Sequence, residues 1–291
     1  MSTRKQHMPG NSSNQVTGSL PELAAPNDVS LQHSKIDFAS IQARQLQHIR
    51  RVQILAPSIC HVVQGHKVVY WQGQRFELSP DHLLIFPAGA VVDIENHPQQ
   101  QWYKANIVSF PLAFIQQYQL KHPLAPVQVE GQRPSLTLGR DAALSFSWDT
   151  LIRAIQQQLP PALQQHHAEG LLLAMQGNAQ LQLLLTVNQQ QLKYRLQQLF
   201  LQKCDYDWQL SDAAQRLYLG ESTLRRKLAE EQTSFKQVLD EVRFAVALGM
   251  VQTTLLPISH IAERCGYQSA SRFAVKFRQI YGLTPSEIRG R

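Results

Sequence analysis

The chain has 291 residues, of which 43% are hydrophobic, so it is long enough for two globular domains that each bury a core. Lys and Arg number 28 against 21 Asp and Glu, and the resulting net charge of +7 favours a polyanionic partner. The three cysteines, Cys60, Cys204 and Cys265, are far apart in sequence and form no Cys-x-x-Cys pair, which argues against a disulfide framework and against a zinc site.

The N-terminus has no apolar run of the kind found in secretory signals, and no stretch reaches the ~20 apolar residues of a membrane span. We therefore expect a soluble, cytoplasmic protein with no membrane contact. Residues 1–35 are polar with scattered Pro and Gly, a composition that predicts a disordered arm.

The next region, from about Ile49 to Phe110, contains short apolar runs separated by turn residues. The runs are rich in Val and aromatic residues and cover 59–63, 67–71, 75–78, 83–86, 91–94 and 103–110. Short strands with turn signals at such close intervals predict a small antiparallel barrel or sandwich.

The segment 87–89, with Asn96 seven residues beyond Gly89, resembles the second conserved box of cupin barrels. Cupin enzymes place a metal-binding His three residues after that Gly, where this chain has Val92. The paired His-x-His of the first cupin box is also absent, since His61 and His66 stand alone. The resemblance therefore implies a cupin-like barrel without a metal, a cofactor or a catalytic site.

A barrel of this size can hold a small ligand between its sheets. Apolar side chains that would either line such a cavity or form the plain core are Val63, Val69, Trp71, Phe76, Ile85 and Phe86.

From Ala142 to about Lys203 the apolar spacing becomes helical. Apolar positions of the first stretch are Phe146, Leu151, Ile155 and Leu159, and two further stretches cover 163–175 and 181–187. A last helix over 189–202 places on one stripe Leu192, Leu196 and Leu199 or Phe200. This stripe packs either within the chain or against a second copy. We expect a sensing and dimerisation domain over 36–203, followed by a second domain over 204–291.

The second domain carries one short pattern twice. A short helix ends near Leu217 and is followed by a turn at Gly220 and a second helix, and the same order recurs around Gly266. This arrangement predicts two helix-turn-helix units. A continuous helix is predicted from Phe235 to about Leu255. Such a connector would let one chain bind two successive major grooves, which are about 34 Å apart.

The second helix of each unit combines an apolar inner face with a basic outer face. Leu224 and Leu228 face the core in the first unit, as Phe273 and Phe277 do in the second. Arg donates paired hydrogen bonds to guanine, Ser contacts either donors or acceptors, and Lys227 at the flank suits a phosphate. The candidate DNA-binding residues are Ser222, Arg225, Arg226, Lys227, Ser271, Arg272 and Lys276.

Residues 208–289 resemble the AraC/XylS-type transcriptional regulators. The matching positions include Trp208, Ala214, Arg226, Ser234–Phe235, Arg243, Ile261–Ala262, Gly266–Tyr267, Phe273, Phe277, Gly282 and Thr284–Pro285. The run 227–235 looks most like a subgroup that regulates virulence and acid-resistance genes in enteric bacteria.

The resemblance implies an α+β protein in which an N-terminal cupin-like β-barrel with helices is joined to an all-α DNA-binding domain. It also implies base contacts by Ser222, Arg225, Arg226, Ser271 and Arg272. The implied partners are promoter double-stranded DNA and RNA polymerase, and the implied role is that of an activator. Three positions depart from the family pattern, and Val275, which replaces an Arg, puts the specificity of the second unit in doubt; Thr233 and Leu228 suggest packing changes.

The N-terminal barrel is expected to sense an effector, either a small molecule or a regulatory protein, and to form a homodimer. A small-molecule enzyme built on the barrel is the competing hypothesis. The missing metal-site His, and the absence of Ser/His/Asp or paired-carboxylate spacings in that region, count against it.

Overall fold

The computed structural model describes residues 35–124, 135–186 and 191–290. Nearly all of the arm predicted over 1–35 lies outside the described residues. The described part of the N-terminal half contains nine strands: β1 Asp37–Ala43, β2 Gln47–Gln53, β3 Ser58–Gln64, β4 His66–Trp71, β5 Gln74–Leu78, β6 His82–Phe86, β7 Val91–His97, β8 Tyr103–Ser109 and β9 Thr137–Gly139.

The strands form two antiparallel sheets, one in the order β1-β8-β3-β6-β9 and the other in the order β2-β7-β4-β5. Cys60 and Leu84 of the first sheet share a buried apolar cluster with Val69 and Val92 of the second. The two sheets therefore face each other. No ladder joins them among the described residues, so the predicted cupin-like barrel is a two-sheet sandwich rather than a closed barrel.

The structure divides the predicted cavity-lining residues. Val69 and Phe86 lie in the core between the sheets, and Trp71 and Phe76 pack at its margin. Ile85 points instead to the opposite face of the first sheet, because side chains alternate along a strand and both faces of β6 are covered. Val63 is 42% exposed, next to a register shift between β3 and β8 that interrupts the alternation. Ile85 is therefore a core residue, although it lies outside the space between the sheets, and the prediction of Val63 as a lining or core residue was wrong.

Four helices cover the outer face of the five-stranded sheet: α1 Leu112–Lys121, α2 Ala142–Gln156, α3 Pro161–Ala174 and α4 Ala179–Leu185. Helix α2 begins where the Asp141 carboxylate accepts a hydrogen bond from the Leu144 amide at 2.8 Å. Trp148 and Leu151 are buried against the sheet, whereas Phe146, predicted on the apolar stripe, is 70% exposed. The stripe is centred on the i, i+4 pair Leu144 and Trp148, which places Phe146 on the outer face.

Seven helices form the rest of the described chain: α5 Leu192–Gln202, α6 Leu210–Arg216, α7 Glu221–Glu230, α8 Phe235–Thr253, α9 Ile258–Arg264, α10 Ala270–Tyr281 and α11 Pro285–Arg289. Both predicted helix-turn-helix units are present, as α6–α7 and α9–α10, and α8 is the predicted continuous connector. The first unit packs in one apolar cluster with the start of α8, and the second unit packs in another with the end of α8. Each unit therefore has its own core, and the two units share one helix.

Helix α5 packs with the C-terminal helices. All four members of its predicted stripe, Leu192, Leu196, Leu199 and Phe200, lie in the cluster formed by α6, α7 and the start of α8. The stripe is therefore covered within the chain. The domain boundary at 203–204 stays a prediction. Helix α5 precedes that boundary in sequence but packs against the helices that follow it.

The two halves of the chain also touch directly. Ile49 of β2 is buried among the residues of the second helix-turn-helix unit. Beside it, the Gln47 amide donates a hydrogen bond to the Ile288 carbonyl of α11 at 2.6 Å. Gln47 in turn accepts a hydrogen bond from Asn96, which accepts one from Lys67 at 2.6 Å. A buried polar chain thus runs from the sandwich to the last helix.

In the three described segments, no helix combines the length and the apolar character that crossing a membrane would require. The same segments bring no three His, Cys, Asp or Glu side chains together in a group able to hold a metal ion.

Candidate nucleic-acid interface

The first unit is shaped by residues at its helix ends. The Gln209 amide donates to the Asp212 carboxylate at 3.2 Å at the start of α6, and the chain leaves α6 through Tyr218 in the left-handed region, at φ 56°. Gly220 caps α7 in an extended conformation, and Glu221 lies in its first turn, where the helix dipole favours an acidic side chain. Helix α7 therefore starts at a fixed angle to α6.

The two faces of α7 are separated as the sequence predicts. Leu224 and Leu228 are buried, whereas Ser222, Arg225, Arg226 and Lys227 are exposed. The Arg225 and Arg226 side chains are 71% and 64% exposed. This outer face carries two guanidinium groups and a hydroxyl, the donors that suit base edges in a major groove.

Acidic side chains on the same helix pair with both arginines. Arg225 lies 3.7 Å from the Glu221 carboxylate, and Arg226 pairs with Glu230, each at i, i+4 spacing. Exposed pairs of this kind contribute only about 0.3–0.5 kcal/mol. The guanidinium groups can therefore leave their partners for DNA at low cost.

The second unit repeats this construction with different caps. The Ser269 hydroxyl accepts a hydrogen bond from the Arg272 amide at 3.3 Å at the start of α10, and Gly282 ends the helix at φ 81°. Phe273 and Phe277 are buried, and Ser271 and Arg272 are exposed. The structure thus places these two predicted DNA-binding residues together on the outer face.

Lys276 lies in a different environment from the other six candidates. Its ammonium is 2.7 Å from the Asp240 carboxylate of α8, and the side chain is half-buried. It lies 5.6 Å from the centre of the Phe244 ring and 5.9 Å from that of Tyr267. Tyr267 also donates a hydrogen bond to Asp240 at 2.9 Å, and burial followed by the Asp240 charge raises the pKa of Tyr267. Contact with DNA by Lys276 stays a prediction that requires it to leave Asp240.

Two exposed residues on these units are not among the predicted DNA-binding residues. Tyr218, in the turn before α7, is 93% exposed, and Val275 on the outer face of α10 is 60% exposed. The available signal for Tyr218 was its position immediately after the end of α6. Val275 was considered only as a departure from the family pattern, although a branched apolar side chain can contact the methyl group of thymine.

Residues 39–219 match the model of the AraC-type transcriptional regulator N-terminus, and residues 213–291 match that of a helix-turn-helix domain. The chain belongs to the AraC-type transcriptional regulators. This AraC-type regulator is therefore a helix-turn-helix DNA-binding transcription regulator and not an enzyme, as the resemblance at residues 208–289 implied.

Curated relatives resemble part of the chain. The regulator is 37% identical over 109 residues to the HTH-type transcriptional regulator GadX of Escherichia coli (strain K12), an alignment that covers 38% of this chain and 40% of GadX. It is 37% identical over 86 residues to the HTH-type transcriptional regulator YdeO of Shigella flexneri, covering 30% and 34% of the two chains. The chain thus spans less than half the length of these relatives. Both come from enteric bacteria, in line with the subgroup that the run 227–235 resembles.

The whole architecture has solved counterparts. The crystal structure of unsaturated-fatty-acid-bound ToxT from Vibrio cholerae strain SCE256 matches with a TM-score of 0.63 over 87% of this chain and 94% of that chain, at 12% identity. A second ToxT structure, from Vibrio cholerae O395, gives 0.62 at 11% identity. At this identity the likeness concerns the fold, and it confirms the combination of an N-terminal β domain with helical DNA-binding units.

Proposed function

We propose that this AraC-type regulator activates transcription by inserting α7 and α10 into two successive major grooves of promoter DNA in the cytoplasm. The observation that carries the proposal is the outer face of α7, where Arg225 and Arg226 are exposed opposite the buried Leu224 and Leu228. RNA polymerase, bound at the same promoter, is the partner through which activation occurs.

Six of the seven candidate residues divide into two roles under this proposal, and the seventh, Lys276, contacts DNA only if it leaves Asp240. Ser222, Arg225 and Arg226 contact bases from α7, as Ser271 and Arg272 do from α10. Lys227 contacts a phosphate and contributes affinity without sequence preference. Val275 supplements α10 with an apolar contact to thymine, which suits a unit that has lost one arginine.

The test is genome-wide mapping of bound DNA in the native host, followed by footprinting on the consensus site. We expect two protected stretches one helical turn apart on one face of the duplex. Transcription with purified RNA polymerase from that promoter should rise when the regulator is added. A single protected stretch would contradict the use of both units, and reduced transcription would contradict activation.

A cavity between the two halves of the chain suggests how DNA binding is controlled. It has a volume of about 350 Å³, which falls in the range of small-molecule sites. Apolar lining comes from Val91, Phe244, Ile280 and Tyr281, and basic lining comes from Arg51, Lys236 and Lys276. The cavity therefore offers an apolar surface together with positive charge.

The charges of the lining favour an anion. The acidic residues Asp240 and Glu241 are already paired, with Lys276 at 2.7 Å and Lys193 at 2.9 Å respectively. Within residues 35–124, 135–186 and 191–290, Arg51 and Lys236 make no ion pair through their side chains. We propose that the effector is a carboxylate with an apolar tail. The unsaturated fatty acid bound to ToxT, a protein of the same fold, supports this class.

Oleate and its methyl ester make a matched pair of probes, because they differ mainly in the carboxylate. We expect oleate, but not the ester, to change the affinity for the consensus site, and the double variant R51A/K236A to abolish the change. Arg75→Ala, on β5 outside the cavity lining, is the control. If oleate does not bind the unaltered protein, and a cellular protein alters its DNA binding instead, control by a protein partner replaces this proposal. Sedimentation of the free protein tests the predicted homodimer.

A further inference from the structure

Two of the three cysteines meet in space although 61 positions separate them in sequence. Cys204 lies in the loop after α5, and Cys265 is the C-cap residue that directly follows α9. The two thiols share a hydrogen bond, and both pack in the apolar cluster of the second helix-turn-helix unit. Cys265 is fully buried, whereas Cys204 is half-buried. Their distance in sequence gave no sign of this contact.

Arg243 of α8 holds the two backbone segments that carry the cysteines. It donates hydrogen bonds to the Cys204 carbonyl at 3.2 Å and to the Tyr206 carbonyl at 2.8 Å. Its guanidinium also packs against Gly266, where an added Cβ would lie only 2.5 Å from a guanidinium nitrogen. The loop after α5 and the turn before α10 are therefore both fitted around one arginine side chain.

The surroundings make the two sulfurs chemically unequal. The hydrogen bond from Cys265 and the nearby charge of Arg243 lower the pKa of the Cys204 thiol. The same hydrogen bond, together with burial, raises the pKa of Cys265. A half-buried thiol that ionises readily beside a second, protonated thiol is the arrangement in which oxidation proceeds to a disulfide.

Small molecules in solution can reach this place. A surface pocket of about 670 Å³ is lined by Asp205 and Gly266, the chain neighbours of the two cysteines, and by Arg243. The third cysteine, Cys60, is fully buried in the core of the sandwich, and burial raises its pKa to about 11. The described cysteines thus include one pair next to a surface pocket and one inert thiol.

We propose that Cys204 and Cys265 form a redox modification site at which a hydroperoxide closes a disulfide and weakens DNA binding by the second helix-turn-helix unit. The Cys204 thiolate attacks one peroxide oxygen, the O–O bond breaks, and a sulfenic acid and hydroxide are formed. The Cys265 sulfur then displaces the sulfenic oxygen, which leaves as water with the Cys265 proton. In total, two thiols and one hydrogen peroxide give one disulfide and two waters, and an external thiol reverses the oxidation.

The disulfide would act on α10 through the turn that precedes it. An S–S bond is about 2.05 Å long, shorter than any contact between two thiols, so the two sulfurs must approach each other. Arg243 contacts both segments that carry them and also lies 5.9 Å from the centre of the Tyr267 ring. We expect the bond to shift Arg243 or Gly266, and with them the start of α10. The DNA readout rests on the proposed function, whereas disulfide formation does not.

The test uses the full chain, reduced and then treated with hydrogen peroxide. We expect the intact mass to fall by about 2 Da and peptide mapping to join Cys204 to Cys265. On the consensus site, footprinting should lose the stretch protected by the second unit, with affinity about tenfold weaker until dithiothreitol restores it. Cys204→Ala and Cys265→Ala should each form no such disulfide and keep their DNA affinity under peroxide.

Cys60→Ala is the matched control and should behave as the unaltered protein in both measurements. Over-oxidation of Cys204 without a link to Cys265 would overturn the proposal, and so would a disulfide that leaves DNA affinity unchanged. If Cys265→Ala does not fold, the mass and DNA-affinity measurements on Cys204→Ala alone decide whether the disulfide weakens DNA binding. A reduced protein that binds no DNA would refute the proposed function, while the mass measurement would still decide the disulfide.

Discussion

The backbone amide of Leu192 donates a hydrogen bond to the Glu231 carboxylate at 2.7 Å. The next amide, that of Lys193, donates to the second oxygen of the same carboxylate at 2.8 Å. Glu231 is the C-cap residue that directly follows α7, so one side chain from the first helix-turn-helix unit caps the start of α5. Helix N-termini leave their first amides without partners and favour negative charge, and Glu231 satisfies both requirements.

Glu231→Ala should lower the free energy of unfolding of the C-terminal helices by about 1–2 kcal/mol, because it removes a charged cap from α5. Urea denaturation followed by helical circular dichroism measures the loss. Glu230→Ala is the matched control, since that exposed residue pairs only with Arg226 and should cost less than about 0.5 kcal/mol. Equal losses for the two variants would show that the cap contributes nothing.

Arg226→Ala should cost about 1–3 kcal/mol on the consensus site and relax the choice of base at one position, because a paired donor to a base edge is lost. Lys227→Ala should instead weaken all sequences about equally and reduce the slope of log K against log salt by about 0.9. Titrations on consensus and scrambled duplexes at several salt concentrations separate the two outcomes. An Arg226→Ala variant that keeps its sequence preference would remove that residue from the base contacts.

Asp240→Asn should release Lys276 while keeping an acceptor for the Tyr267 hydroxyl. If the freed ammonium reaches a phosphate, binding to all sequences strengthens and the salt slope steepens by about 0.9. The double variant D240N/K276M should lose the gain, which separates the action of Lys276 from the removal of a negative charge. A salt slope that does not change in Asp240→Asn would show that Lys276 is a structural partner of α8 only.

Lys67 should make stability depend on pH between about 8 and 10.5. Burial lowers the pKa of this fully buried lysine from 10.5 to about 8, so in that window the unfolded chain binds the proton that the folded chain has released. Folded stability therefore rises with pH through the window, and below pH 8 the full cost of burying the charge is present.

The comparison that isolates this effect is between the unaltered protein and Lys67→Met, since every other contribution to the pH dependence is shared by the two proteins. We expect the stability of the unaltered protein relative to the variant to increase by an amount on the order of 3 kcal/mol from pH 8 to 10.5. Denaturation at matched pH values measures the difference. A difference that stays constant with pH would mean that Lys67 keeps its proton in the folded state.

The C-terminal helices could be predicted because their signals are local. Apolar residues at i and i+4, and the residues Gly220, Ser269 and Gly282 at helix ends, fix each helix within a few positions of the chain. The exposed face of α7 follows from the same periodicity. These features need no knowledge of distant partners.

The parts that were missed depend on distant partners. Strand β2 begins with the polar residues Gln47 and His48, and Gln47 is buried only because Asn96 and Ile288 bind it. Ile85 belongs to the core outside the sandwich because the helices over the first sheet bury its second face, which the sequence alternation alone did not predict. Periodicity placed Lys276 outside, and only the packing of α10 on α8 brings it to Asp240. Residue spacing in the sequence does not predict contacts of this kind.

Helix α8 is a single rod of 19 residues, about 28 Å long, and both helix-turn-helix units pack on its sides. A rod cannot stretch, so any mismatch between the separation of α7 and α10 and the groove repeat of about 34 Å has to be absorbed by the duplex. Base pairs lying between the two contacted stretches are then selected for how easily they bend. Part of the sequence specificity for the promoter would then come from base pairs that the protein does not contact.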